Sequence, residues 1–230
     1  MTSDDSPAEP LSLLCYGDSN TYGAPAEPAD FHRWSSTLRW TGRLQQALGP
    51  GYKVVEEGLR GRTTDVDYVE LARAGRNGLP YFGPCVYSHD PLHAVIIMLG
   101  TNDLKFEFDR SPKQIAASLN SYIDTVRANT AQADGHETRI ILVSPPRIDD
   151  TKPLFETLRG ARYDRTSVTK SHQLASEIRR IADQRGAEFV DAAEAATVGA
   201  DGVHFAAESH KLFAERLAEI VLGVGSNLAV

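Results

Sequence analysis

Five residues of this chain have types and positions that could do chemistry together: Ser19, Gly61, Asn102, Asp201 and His204. Ser19 closes the turn Gly17-Asp18-Ser19, where the apolar run that begins at Leu11 stops abruptly. A neutral serine hydroxyl is a poor nucleophile and needs a base beside it. His204 can take its proton, and Asp201, three residues earlier, can orient the imidazole and stabilise the imidazolium. Attack on an acyl carbon also needs donors for the oxyanion that develops. The backbone N–H groups of Ser19 and Gly61 and the side-chain amide of Asn102 would supply three.

Each residue also has a plainer reading. Serine after glycine and aspartate is ordinary turn chemistry, because such side chains hydrogen-bond nearby backbone. A lone histidine near a helix start is often a surface or satisfied residue. Asn102 and Asp103 could cap the segment that follows them. Gly58 and Gly61 could serve a turn with positive φ or a close backbone approach. Asp18 is assigned to holding the turn through bonds to backbone. Arg62 and Thr63 stay open, as neighbours of the site at most. What favours chemistry is joint placement, and that depends on the elements.

The first strand pattern is Leu11 to Tyr16. Arg39 to Leu48 has apolar residues Trp40, Leu44, Ala47 and Leu48 at helical spacing and stops at Gly49-Pro50-Gly51. A second strand, Tyr52 to Glu57, runs into Gly58. Residues 67 to 92 hold too many glycines and prolines for a long element, yet are too apolar for a solvated loop; a short helix lining a pocket or ordinary packing over the sheet would both fit. The segment around Cys85 reads as loop-like. Ala94 to Leu99 is apolar throughout, as a strand buried on both faces should be. Ser111-Pro112-Lys113-Gln114 has the form of a capping box, and its helix carries Ile115, Leu119, Tyr122, Ile123 and Val126 on one face. A fourth strand, Arg139 to Val143, precedes a polar insert at 147–165 with Leu154 and Phe155 as isolated apolar points. A helix from Ser167 to Gln184, a strand from Ala187 to Val190 and a closing helix from Ala206 to Leu222 complete the chain. The last would bury Leu212, Phe213, Leu217, Ile220 and Val221 and end at Gly223.

Five buried strands alternating with helices predict a single-domain three-layer α/β/α fold around a five-stranded parallel sheet. In such a sheet the polar turns after Gly17, Gly58 and Leu99 must share one edge, the edge where ligands bind. Residues 1–10, with two prolines and no periodicity, read as a flexible N-terminal tail before one domain over 11–230. At 230 residues, 41% apolar and 24% charged, the chain has ordinary globular composition. A net charge of -7 with no basic stripe argues against a nucleic-acid partner. No run has the length of a membrane span, the N-terminus lacks the form of a secretory signal, and the two cysteines make no disulfide framework. A cytoplasmic location with no membrane partner is the expectation. The sequence has no G-x-S-x-G, H-E-x-x-H, C-x-x-C, P-loop or G-x-G-x-x-G motif, and the serine chemistry calls for no metal or cofactor.

Taken in order, these motifs resemble the blocks of the GDSL or SGNH hydrolases, a family of esterases and lipases with a flavodoxin-like fold. Gly17-Asp18-Ser19-Asn20 looks like block I, which implies Ser19 as nucleophile. Gly61, within Glu56 to Thr63, looks like the block II glycine. Gly100-Thr101-Asn102-Asp103 is similar to block III, whose asparagine completes the oxyanion hole, and Asp201-Gly202-Val203-His204 resembles block V. Arg39-Trp40-Thr41-Gly42, Glu56-Glu57-Gly58-Leu59 and Ile96 to Asp103 are most similar to the cytoplasmic bacterial arylesterase and acyltransferase branch. One departure is Asn20, where the family motif has leucine. The resemblance implies a serine esterase acting on small acyl or aryl esters through an acyl-enzyme, with transfer to alcohols and a homo-oligomeric assembly. The alternatives are a carbohydrate O-acetyl esterase on the same triad and a non-catalytic α/β module holding a small anion.

Overall fold

The computed structural model describes residues 9–30, 32–130 and 137–223. Most of the N-terminal tail expected at 1–10 lies outside the described residues. The chain forms β1 (Leu11–Gly17), a single turn α1 (Ser19–Tyr22), α2 (Trp40–Leu48), β2 (Tyr52–Gly58), α3 (Gly78–His89), β3 (Ala94–Met98) and α4 (Pro112–Asn129). It continues through β4 (Arg139–Ser144), α5 (Phe155–Arg159), α6 (Arg165–Arg185), β5 (Glu188–Asp191) and α7 (Ser209–Leu222). The five strands make one parallel sheet in the order β2-β1-β3-β4-β5, as a flavodoxin-like fold requires.

Alternation along β1 shows why both faces are covered. Leu14 and Tyr16 join Val95, Ile97 and Leu142 in a core closed by α3, α4 and α6. Leu13 and Cys15 join Ile96, Met98 and Ile141 in a second core closed by Trp40 and Leu44 of α2 and Phe213 and Leu217 of α7. Register puts Gly17 level with Gly58 on one side and Met98 on the other. Three strands therefore end together, and their turns open onto one edge.

The Ser111/Gln114 capping box forms, and all five apolar residues assigned to its helix are buried. Residues 78–89 resolve the ambiguous segment: they are a helix packed over the sheet, and Cys85 is buried within it instead of in a loop. Pro84 sits inside that helix. Tertiary packing overrides its poor local propensity, because Phe82 sits with its ring 4.8 Å from Tyr16 and 4.6 Å from Tyr122.

At the C-terminus α7 begins at Ser209, not Ala206, because the residues before it close a loop: Ala206 N donates to Thr197 O and Thr197 N to Ser209 Oγ. Leu212 is 52% exposed, not buried as expected, since Phe213, Leu217 and Val221 occupy the inward face. The 147–165 insert folds back on its own chain. Asp149 N and Leu154 N donate to Gly202 O and Ala200 O, and Phe155 enters the core beside Val203. Phe155, one of the insert's two isolated apolar points, is only 4% exposed in the single chain. Among the described residues no helix is long and apolar enough to cross a membrane.

Gly58 shows how tightly the edge is built. A Cβ there would fall 2.2 Å from Tyr22 N. Gly58→Ala therefore has to push α1 away from β2, an overpacking cost of about 1–3 kcal/mol. A Tm loss of roughly 3–10 °C with a parallel loss of activity is the expected outcome. Gly51→Ala, whose Cβ would meet nothing within 4 Å, should change neither.

Candidate active site

Ser19 is the first residue of α1, and Asp18 caps that turn by accepting Asn20 N through Oδ1 at 2.9 Å. This is the backbone-holding work expected of Asp18, and burial pushes its carboxyl above the usual value. The cap presents the Ser19 hydroxyl at the strand edge, where a cavity of about 310 Å³ opens over Ser19, Gly61, Asn102 and His204.

The loop before α7 brings His204 to the serine. His204 Nε2 lies 2.9 Å from Ser19 Oγ, and His204 Nδ1 lies 2.6 Å from Asp201 Oδ2. Asp201 is fully buried, and its Oδ1 accepts the backbone N–H of Val203 and His204, each at 2.9 Å. Burial alone would push this carboxyl up, but the bonds and charge of His204, with the charge of Arg159, overcome it and hold Asp201 at about 2. A carboxylate on Nδ1 selects the tautomer in which Nε2 carries a lone pair facing the serine hydroxyl. The geometry can thus move the Ser19 proton onto His204.

The three expected oxyanion donors share the cavity wall with the serine. Gly61, at φ +80°, lines the cavity, and Tyr68 Oη donates to its carbonyl at 2.8 Å. Among the described residues neither the Ser19 nor the Gly61 N–H has an acceptor. Asn102 Nδ2 donates to Arg62 O at 3.0 Å and makes a long 3.4 Å contact with Asp18 Oδ2, so one of its hydrogens is poorly used. Arg62 and Thr63 prove structural: Arg62 Nη1 donates to Gly17 O and Glu57 O, and Thr63 Oγ1 donates to Val66 O. Asp103 does not cap its own segment; it accepts Thr64 N, Thr64 Oγ1 and Arg110 Nη1.

A serine at the end of the first strand, an oriented histidine and free N–H donors match one known pattern over most of the chain. The model of the GDSL-like lipase/acylhydrolase family matches residues 15–212. The chain belongs to that family. Among solved structures, the aryl esterase of M. smegmatis is 33% identical with a TM-score of 0.81, over 93% of this chain and 99% of that one. Est24, a carbohydrate acetylesterase from Sinorhizobium meliloti, is 35% identical with a TM-score of 0.80, over the same shares. A lipase/acylhydrolase from Enterococcus faecalis, 18% identical with a TM-score of 0.64 over 93% of this chain and 96% of that one, shares the fold. No curated protein matches the chain by sequence. The protein is accordingly an ester hydrolase of the GDSL type.

Two residues of this GDSL hydrolase escape a sequence reading. Asn20, at the place of the motif's leucine, clamps the backbone on both sides of the histidine: Nδ2 donates to Val203 O at 3.3 Å and Oδ1 accepts Phe205 N at 2.9 Å. Only the departure from the motif pointed to it. Arg159, from the insert, donates through Nε and Nη2 to Asp201 Oδ2 at 2.9 and 2.6 Å, with Nη2 3.1 Å from His204 Nδ1. Nothing in its local sequence marks it. As for metals, Glu57, Cys85 and His89 place donor atoms within 4.8 Å of one another, outside the cavity. Burial and then Glu57 push the Cys85 thiol up to about 12, away from the thiolate that binds metal.

Asn20→Leu restores the family residue but leaves the Phe205 N–H and Val203 C=O without partners, at a cost of about 1–3 kcal/mol. Lower Tm and lower kcat, with KM changed less, are expected in steady-state assays. Asp201 makes a prediction in acid. Its folded value, about 2, lies below an ordinary aspartate's 3.8, so its ionised form stabilises the fold above that ordinary value. That contribution drains away as pH falls toward 2. Between about pH 5 and about pH 2, the Tm of the wild type should fall more steeply than that of Asp201→Asn.

Proposed function

We propose that the protein is a serine esterase that cleaves small acyl or aryl esters through an acyl-enzyme and can pass the acyl group to an alcohol. The observation that carries this is the continuous hydrogen-bond chain from Asp201 through His204 to Ser19, at 2.6 and 2.9 Å, ending in a cavity with two free backbone N–H donors. In the first half-reaction the Ser19 proton moves to His204 Nε2 as Oγ bonds the acyl carbon. The resulting oxyanion is held by Ser19 N–H, Gly61 N–H and Asn102 Nδ2. The ester C–O bond then breaks, and the alcohol leaves with the proton from His204. In the second, His204 deprotonates water or another alcohol, which attacks the acyl-enzyme and releases Ser19. Neither half calls for a metal or a cofactor.

A second reading, an O-acetyl esterase of carbohydrates, has support of its own. The cavity wall is mostly polar, with Leu158, Tyr163 and Val203 as its main apolar side chains, which suits a hydroxylated substrate better than a long acyl chain. Comparing acetylated sugars with phenyl acetate by kcat/KM separates the two.

The shared mechanism is tested by intact mass after treatment with an organophosphate and by rates on 4-nitrophenyl acetate. One adduct, absent from Ser19→Ala, is expected. Ser19→Ala and His204→Ala should each lose at least about four orders of magnitude in kcat, with Asp201→Asn impaired less than His204→Ala. Asn102→Ala should lose about 10²–10³. A Ser19→Ala protein with full activity would overturn the assignment and return the fold to a binding role.

A further inference from the structure

The wall of the cavity at Ser19 has a charge that the whole chain does not. Arg60, Arg73, Arg76, Lys105, Arg159 and Arg162 line it, and no carboxylate does. These are six of 24 basic residues in a chain with net charge -7. Some of the six are answered from behind. Glu70 pairs with Arg73 at 2.7 Å and with Arg162 at 3.6 Å, Glu107 pairs with Arg162 at 3.3 Å, and Asp201 pairs with Arg159 at 2.6 Å. Among the described residues Arg60, Arg76 and Lys105 form no pair with any carboxylate.

Two of those three are held close to the chemistry. The Arg76 guanidinium packs on Gly61, with Nη1 2.8 Å from where a Cβ would stand. Lys105 is 4% exposed and donates to Tyr68 Oη at 2.7 Å, and Tyr68 in turn donates to Gly61 O. Burial, followed by the charges of Arg73 and Arg162, lowers the Lys105 ammonium to about 7 against the opposite pull of Glu107 and Asp18. Cations crowded into a concave, partly dry site that carboxylates answer only in part are stabilised by an anion that enters it, and they concentrate such anions there. Guanidinium forks match the oxygen geometry of carboxylate, phosphate and sulfate. At about 310 Å³ the cavity holds a small molecule, not a polymer.

We propose that the ester cleaved at this site carries an anionic group, a carboxylate, phosphate or sulfate on its acyl or alcohol part, held by Arg60, Arg76 and Lys105. The inference rests on the reading of Ser19 as nucleophile. It adds what the rest of the substrate must be.

Two matched substrate pairs test it: 4-acetoxybenzenesulfonate against 4-acetylphenyl acetate, and 4-nitrophenyl monoadipate against 4-nitrophenyl hexanoate. In at least one pair the anionic ester should have the higher kcat/KM by about tenfold or more, the worth of one charge-assisted hydrogen bond. That advantage should shrink as salt is raised from about 0.02 to about 0.5 M, which shortens the reach of the cations. In Arg60→Gln/Arg76→Gln the anionic-to-neutral ratio should drop by about tenfold, whatever happens to the neutral rate. Should that protein fold poorly, Arg60→Gln alone, at an exposed side chain, should still lower the ratio. Neutral esters cleaved as fast as anionic ones in both pairs at low salt, with Ser19 labelled by organophosphate, would overturn this proposal alone. No cleavage of any ester and no labelled serine would overturn the esterase reading and this proposal with it.

Discussion

The Arg62 guanidinium ties the site together from beneath. It is 3% exposed, donates to the carbonyls of Gly17 and Glu57 at the ends of β1 and β2, and lies 3.9 Å over the Tyr16 ring. Its own carbonyl accepts Asn102 Nδ2 from the loop after β3. One residue thus joins the three strand ends that carry the serine, the glycine and the asparagine. A charge this deep is tolerable because carbonyl oxygens and an aromatic face stand in for water. The same joints mean that motion of any one strand end would be felt at all three.

The fourth element of the site, the Asp201–His204 loop, is fastened differently. It belongs to no strand edge and is gripped from two sides. Asn20 holds the backbone around His204 from the serine's own turn, and the insert holds Gly202 and Ala200 through backbone bonds and Asp201 through Arg159. Removing an acidic group from water is costly unless donors replace it. Asp201 is supplied with donors from two backbone N–H groups, an imidazole and a guanidinium. The alignment of His204 on Ser19 and the stability of this loop therefore depend on the same bonds.

Charge separates the local from the global view. A net charge of -7 gives no hint of a cationic cavity, because charges remote along the chain converge there. Arg60 and Arg76 come from the connection between β2 and α3, Lys105 from the turn after β3, and Arg159 and Arg162 from the insert. Composition averages over all of them; a ligand meets only the wall.

The sequence by itself determined the strand-and-helix alternation, the parallel sheet and the residues that line its edge. The reason is physical: strands buried on both faces must be apolar throughout, and the polar break at Gly17, Gly58 or Gly100 then falls at the strand end. Helices with an apolar face and a capping box, such as α4, were legible for the same reason. Tertiary structure alone decided the rest. Residues 78–89 became helical because Phe82 had Tyr16 and Tyr122 to pack against, which no local propensity encodes. Leu212 stayed outside because Phe213 and Leu217 already filled the inner face of α7. The proximity of Ser19 to His204, across 185 positions of chain, follows from the serine's need for a base and from the resemblance of the Asp-x-x-His motif to block V, but the partners that hold them do not. Asn20 and Arg159 act through contacts whose other half lies 183 and 42 residues away, with no periodicity or spacing to mark them. A pattern along the chain reports what an element must bury, whereas a hydrogen bond between loops exists only once the sheet has set their distance.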